Sequence, residues 1–213
     1  MRRKIALCLL MAIFLLTVVG LHFHHTENIS SRMVVFDFPN HENIVLSVPM
    51  IRGSSNADLI NNMIEDYVRE VIQDYAEQAE EPITLQNTYA CTYKRHHIIS
   101  FRFSVDIMRD RAAYPITKVF GLTVNTDVPE VLSILQATGC EDWEDFAEIK
   151  GKTVLYGSLW DESDDELLNQ VKEWCALDKC VRLRSYYLER GGTVLIFDKS
   201  HMYGDYAELL LRR

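Results

Sequence analysis

Residues 97–107 read HIISFRFSVDI, and they alternate without a break. Ile99, Phe101, Phe103, Val105 and Ile107 share one register; Ser100, Arg102, Ser104 and Asp106 share the other. Side chains of a β-strand point to opposite faces with a period of two, so the stretch predicts a strand with one oily face. Five large apolar groups on one face demand neighbouring strands and a covering layer. Ile116–Val124 supplies one neighbour, reached through a charged loop that Pro115 closes. Ile83–Arg95 supplies another, clearest where Tyr89, Cys91 and Tyr93 alternate with Ala90, Thr92 and Lys94. Lys94-Arg95-His96-His97 is the turn between them. Segments 83–95, 97–107 and 114–125 therefore predict an antiparallel meander.

The cover is found upstream. From Asn56 to about Ala79 the apolar period changes to that of a helix. Leu59, Ile60, Met63, Ile64, Tyr67, Val68, Val71, Ile72 and Tyr75 form one stripe, while Glu65, Asp66, Arg69, Glu70 and Asp74 lie opposite. Ser54 or Ser55 is the expected N-cap, and Glu80-Glu81-Pro82 the stop. Before it, Met33–Phe38 and Asn43–Ile51 predict two strands around the turn Pro39-Asn40-His41-Glu42, with Pro49 marking an edge or a strand end.

The remainder is more broken. Asp127 and Pro129 predict a short helix through Gln136. Gly151 and Gly157 interrupt any pattern in 139–162. Ser163 and Glu166 form a capping box for a helix to about Leu177. DESDDE at 161–166 is not a calcium loop, because Glu166 stands where glycine is needed and Lys172 where the closing glutamate is needed. Three strands follow, Val181–Leu188, Thr193–Phe197 and Asp205–Leu211, the first two around a Gly191-Gly192 hairpin turn, and they are read as further neighbours in the same sheet. The expected fold is α+β: an antiparallel or mixed β-sheet covered by a long amphipathic helix.

Residues 1–23 place Arg2, Arg3 and Lys4 before an uncharged run from Ile5 to Phe23. A signal peptide has this form, and so does a signal-anchor, since roughly 17–25 apolar residues span a bilayer. No A-x-A cleavage site follows, which favours the anchor. Either way the positive-inside rule puts the rest of the chain outside the cell membrane, still anchored or secreted after cleavage. The expected division is 1–23 membrane or signal segment, 24–32 linker and 33–213 extracytoplasmic domain. Without the three leading cations, 19 basic side chains face 31 acidic ones, a net charge of −12. Such a domain is a poor partner for nucleic acid, which needs clustered Lys and Arg, and a good one for a cationic protein.

Chemistry is sparse. The chain holds no G-x-S-x-G, H-E-x-x-H, C-x-x-C, P-loop or G-x-G-x-x-G, so no enzyme activity, metal or cofactor is expected. His22, His24 and His25, and the pair His96-His97, read as solvated segments instead of ligands. Cys175 and Cys180 are the candidate disulfide, and they can meet only if the helix breaks between them. Candidate ligand contacts lie in two loops: Arg109, Asp110, Arg111 and Tyr114 in one; His201, Tyr203, Asp205 and Tyr206 in the other. Tyrosine and arginine are the residue types that anchor interfaces.

Several short motifs occur in a fixed order: Val48-Pro49; Asn56-Ala57-Asp58-Leu59-Ile60-Asn61; Ser100–Phe103; Ala112-Ala113-Tyr114-Pro115; Asn125–Asp127; Tyr187–Gly192; and Gly204-Asp205-Tyr206-Ala207. Together they resemble the paired domains of unknown function in the ectodomain of RsiV-type anti-sigma factors and in PdaC-type peptidoglycan deacetylases of Gram-positive bacteria. The resemblance spans about residues 43–211. It implies an envelope-facing, sensor-like binding module, with lysozyme or a wall component as ligand. The four residues before the apolar run cannot hold a sigma factor, and no deacetylase motif is present. Tyr114 stands where the family often has histidine. The alternative readings are a structural or accessory cell-wall protein acting through a membrane partner and, less favoured, a peptidoglycan-modifying enzyme.

Overall fold

The computed structural model describes residues 28–38, 44–79, 82–109, 112–142, 145–146, 151–156, 186–198 and 205–212. The membrane or signal segment, the expected helix of 163–177 and the Cys175–Cys180 pair lie outside these residues. Among the described residues, no helix is long and apolar enough to cross a membrane.

The meander forms as its alternation requires. Strands β3 (Ile83–Arg95), β4 (Ile98–Arg109) and β5 (Ile116–Asn125) pair antiparallel in that order. His96 and His97 take positive φ of 48° and 64° and turn β3 into β4. Helix α1 (Ala57–Glu77) lays most of its stripe on the oily face, but Leu59, expected within the stripe, is 55% exposed. Ile60, Ile64, Val68, Val71 and Ile72 join Ile99, Phe101, Phe103, Val105 and Ile107 in one buried cluster. At about 1.5–3 kcal/mol per buried side chain, this face is the main apolar contribution to the fold.

Strands β1 (Asn28–Phe36) and β2 (Ile44–Arg52) make a separate two-stranded sheet beside β3. β1 begins inside the stretch expected to be linker, because Ser30 and Ile29 already pair with Met50 and Ile51. The β2 edge facing away from β1 is sealed by two amide side chains. Asn87 accepts from Ser47 N–H and donates to its carbonyl, both at 2.8 Å. Asn61 of α1 does the same to Ile51, at 2.7 and 2.9 Å. Pro49, midway between them, has no N–H to satisfy. Its reading as an edge residue agrees with the pairing.

The C-terminal strands correct the one-sheet expectation. β7 (Gly151–Tyr156), β8 (Tyr186–Glu189), β9 (Gly192–Asp198) and β10 (Tyr206–Arg212) build their own antiparallel sheet, in the order β7-β10-β9-β8. It stacks on the polar face of the meander and does not extend it. Val119, Tyr187, Val194, Ile196, Tyr206 and Leu210 pack between the two sheets. Contact reaches the backbone at Gly121, where a Cβ would lie 1.7 Å from the Tyr186 carbonyl oxygen. The middle sheet is thus covered on both faces. Every strand pair described is antiparallel.

The helix expected from Asp127 is displaced. Asn125 Oδ1 accepts from the N–H groups of Asp127 and Val128, which makes a turn in place of an N-cap. A two-residue strand, β6 (Glu130–Val131), pairs with β5. Helix α2 (Ile134–Thr138) starts only at Ser133, whose side chain and that of Gln136 form a reciprocal capping box. Gly139 ends it in the left-handed conformation.

Candidate functional site

The described ends of the two loops singled out in the sequence, Arg109 and 112–114 of one and Asp205 of the other, lie at one end of the middle sheet. β4 and β5 pair as far as Ile107 and Ile116. Met108 and Arg109 run past that point, and Arg109 is exposed. The Ala112 N–H closes a turn onto the Arg109 carbonyl at 3.1 Å. Tyr114 lies in a bend just before Pro115 and is 74% exposed. Met108, 38% exposed, belongs to the same end. The sequence reading passed over Met108, although it follows the last inward residue of the alternation and precedes the loop.

Asp205 brings the second loop there. It has a positive φ of 63°, unusual for a residue other than glycine. Its Oδ2 accepts from the Thr117 N–H at 2.9 Å, and Thr117 Oγ1 donates to Asp106 Oδ1 at 2.7 Å. The start of β10 is therefore fastened to the start of β5. Tyr206 turns inward instead of facing a ligand. Its ring stacks on Tyr156 at 4.5 Å, and its hydroxyl accepts from Arg102 Nη2 at 3.3 Å. Burial raises its pKa above the ordinary tyrosine value. Asp110, Arg111, His201 and Tyr203 lie outside the described residues.

Between the two sheets, from this end to the opposite one, runs a polar interior. Arg102, on the face read as polar, donates from Nε to Glu208 Oε1 at 2.7 Å. Burial alone would lower the Arg102 pKa, but the bond and charge of Glu208 raise it above the ordinary value. Ser100 is fully buried, shares a 2.8 Å bond with Thr123 and accepts from the Leu188 N–H at 2.9 Å. Thr92 donates to the Leu188 carbonyl at 2.6 Å. Tyr186 donates to the Leu132 carbonyl, and burial raises its pKa. These groups lock the two sheets in register. A charged residue inside the apolar run of β10, Glu208, was the one sequence signal for a buried partner.

The residues that carry the family resemblance have the same structural character. Asn56 donates to the carbonyls of Thr126 and Asp127, tying the start of α1 to the β5–β6 turn. Asn61, Ser100, Asn125 and Asp205 have the roles given above. Gly192 has a φ of 149° and leaves no room for a Cβ, which would sit 2.0 Å from the Leu211 carbonyl oxygen. The motifs thus specify a framework, and they stay silent on the ligand.

In chemical terms the described part of the loop end offers an aromatic ring, a thioether, a guanidinium and the Asp106 carboxylate. Among the described residues, no three His, Cys, Asp or Glu side chains gather closely enough to hold a metal ion. Cys91 is an exposed thiol whose pKa burial raises, and Cys140 is buried.

The fold and this end together define an α+β module with a doubly covered antiparallel sheet. Solved structures of similar organisation exist. A DUF3298 family member from Bacteroides fragilis aligns over 89% of this chain and 91% of its own, with 11% identity and a TM-score of 0.47. A DUF3298 family protein from Pseudomonas aeruginosa aligns over 88% and 90%, with 10% identity and a TM-score of 0.43. No family model matches the chain, and no curated protein matches it.

Proposed function

We propose that the chain is a membrane-anchored, extracytoplasmic binding module of the bacterial cell envelope that takes a cationic protein at the loop end of its middle sheet. One observation carries this reading. The start of β5, just after the first loop, is fastened through Thr117 to Asp205 at the end of the second, 88 residues away, at the end of the sheet that carries an exposed tyrosine and an exposed arginine. Recognition loops on a rigid scaffold are a common way to build an interface. The acidic balance supports the partner's sign, because opposite charge raises the encounter rate. Lysozyme is the cationic partner that the family resemblance names. The full chain in detergent, titrated calorimetrically with lysozyme, is expected to give saturable heat that weakens as salt rises from low to moderate. Tyr114→Ala is expected to weaken that binding about tenfold or more, with thermal stability unchanged. No saturable binding at either salt removes lysozyme as the partner.

A further inference from the structure

At the far end of β4, roughly 40 Å from Arg109 along a strand of 12 residues, the molecule has a second feature of a different kind. The β3–β4 hairpin, the β8–β9 hairpin and the end of α2 border an open cleft of about 300 Å³. Tyr93 and Arg95 line it from the first hairpin, Leu188, Glu189 and Arg190 from the second, and Ala137 from α2. The volume is at the lower end of what small-molecule sites occupy. Its charge runs against the molecule: two arginines and one glutamate are among the residues that line a cleft in a protein of net charge −9. Arg95 and Arg190 are both exposed. Among the described residues, neither has an ion-pair partner, a state they share with Arg52, Arg109 and Arg212. The Glu189 carboxylate lies over its own turn, with Oε1 3.4 Å from where a Gly191 Cβ would stand.

We propose that this cleft binds a small organic carboxylate carrying an apolar group. The guanidinium groups of Arg95 and Arg190 receive the carboxylate, since a planar fork of N–H donors matches its two oxygens. Tyr93, Leu188 and Ala137 receive the apolar part. The carboxylate can belong to a free acid or to a peptide C-terminus, because both present the same group. This site is independent of the loop end and of the lysozyme reading.

The test titrates the full chain in detergent with three probes: N-acetyl-leucyl-leucine, the same dipeptide with an amidated C-terminus, and isovalerate. Arg95→Gln and Arg190→Gln are exposed substitutions that leave the core intact, and circular dichroism verifies each fold. The expected result is saturable binding of the acetylated dipeptide, weakened at least tenfold by amidation and at least tenfold by either arginine substitution. Isovalerate binding as tightly as the dipeptide assigns the site to free acids, and weaker isovalerate binding assigns it to peptide termini. Equal binding of acid and amide, no binding of either carboxylate, or unchanged affinity in both arginine variants overturns the proposal. Sulfate competing as well as the carboxylates also overturns it, since the site would then be a general anion site.

Discussion

The two faces of the middle sheet are covered by different means. On one, α1 and the β1–β2 hairpin press apolar side chains against Phe101, Phe103 and Val105. On the other, the second sheet packs a smaller apolar cluster around Val119 and adds an ion pair and hydroxyl bonds to serines, threonines and an arginine. The first face is held by area, which tolerates small shifts. The second is held by geometry, which does not.

Breaking the first face has the largest expected effect. Phe103 is fully buried and stacks on Phe120 at 4.7 Å. Phe103→Ala is expected to cost about 3–5 kcal/mol in urea unfolding. Closing the gap on the second face comes next. Gly121→Ala drives a Cβ into the Tyr186 backbone, with an expected loss of about 3 kcal/mol and dispersion of the amide signals of β8. The ion pair sharpens the contrast further. Arg102→Met strands the Glu208 carboxylate, 6% exposed, and is expected to cost about 2 kcal/mol, less than a fully buried pair because Arg102 keeps 24% of its side chain in water. Arg102→Met/Glu208→Met is expected to recover most of that loss, as an apolar replacement of both partners does.

Alkali separates the faces by another route. Burial holds the hydroxyls of Tyr186 and Tyr187 protonated above the ordinary value of 10.0. In the range above that value the unfolded chain releases protons that the folded one retains, so stability falls as pH rises through it. Thermal melts across this range are expected to show the fall, and Tyr186→Phe to flatten it. Ser100→Ala, smallest in the series, is expected to cost about 1 kcal/mol through the Leu188 N–H it leaves without an acceptor.

Much of the first face was legible in the chain. The alternation of 99–107 and the stripe of 59–75 each define a surface, and surfaces of that width have to meet. Pro49 announced its edge. What covers the second face was not legible, since alternation says which residues share a side and nothing of what lies against it. Arg102 reads as solvated until Glu208, 106 residues later, is placed beside it. The helix expected at Asp127 lost to a local competitor, because Asn125 draws the N–H groups of Asp127 and Val128 into a turn of its own. For the candidate site, Arg109 and Tyr114 were readable as loop residues. Their meeting with Asp205 depends on a sheet-on-sheet packing that no local pattern encodes.

That separation of 106 residues has a meaning in time as well as in space. A ribosome adding roughly 5–20 residues per second takes roughly 5–20 seconds to go from Arg102 to Glu208. For that interval the helix and meander can already be packed while the future partner sheet does not yet exist. An oily second face would spend those seconds as an adhesive surface. A face of serine, threonine and arginine spends them hydrated, ready to trade water for Glu208 when it arrives. Arg102→Met/Glu208→Met, stable once folded, is therefore expected to scatter more light during refolding than the unaltered chain.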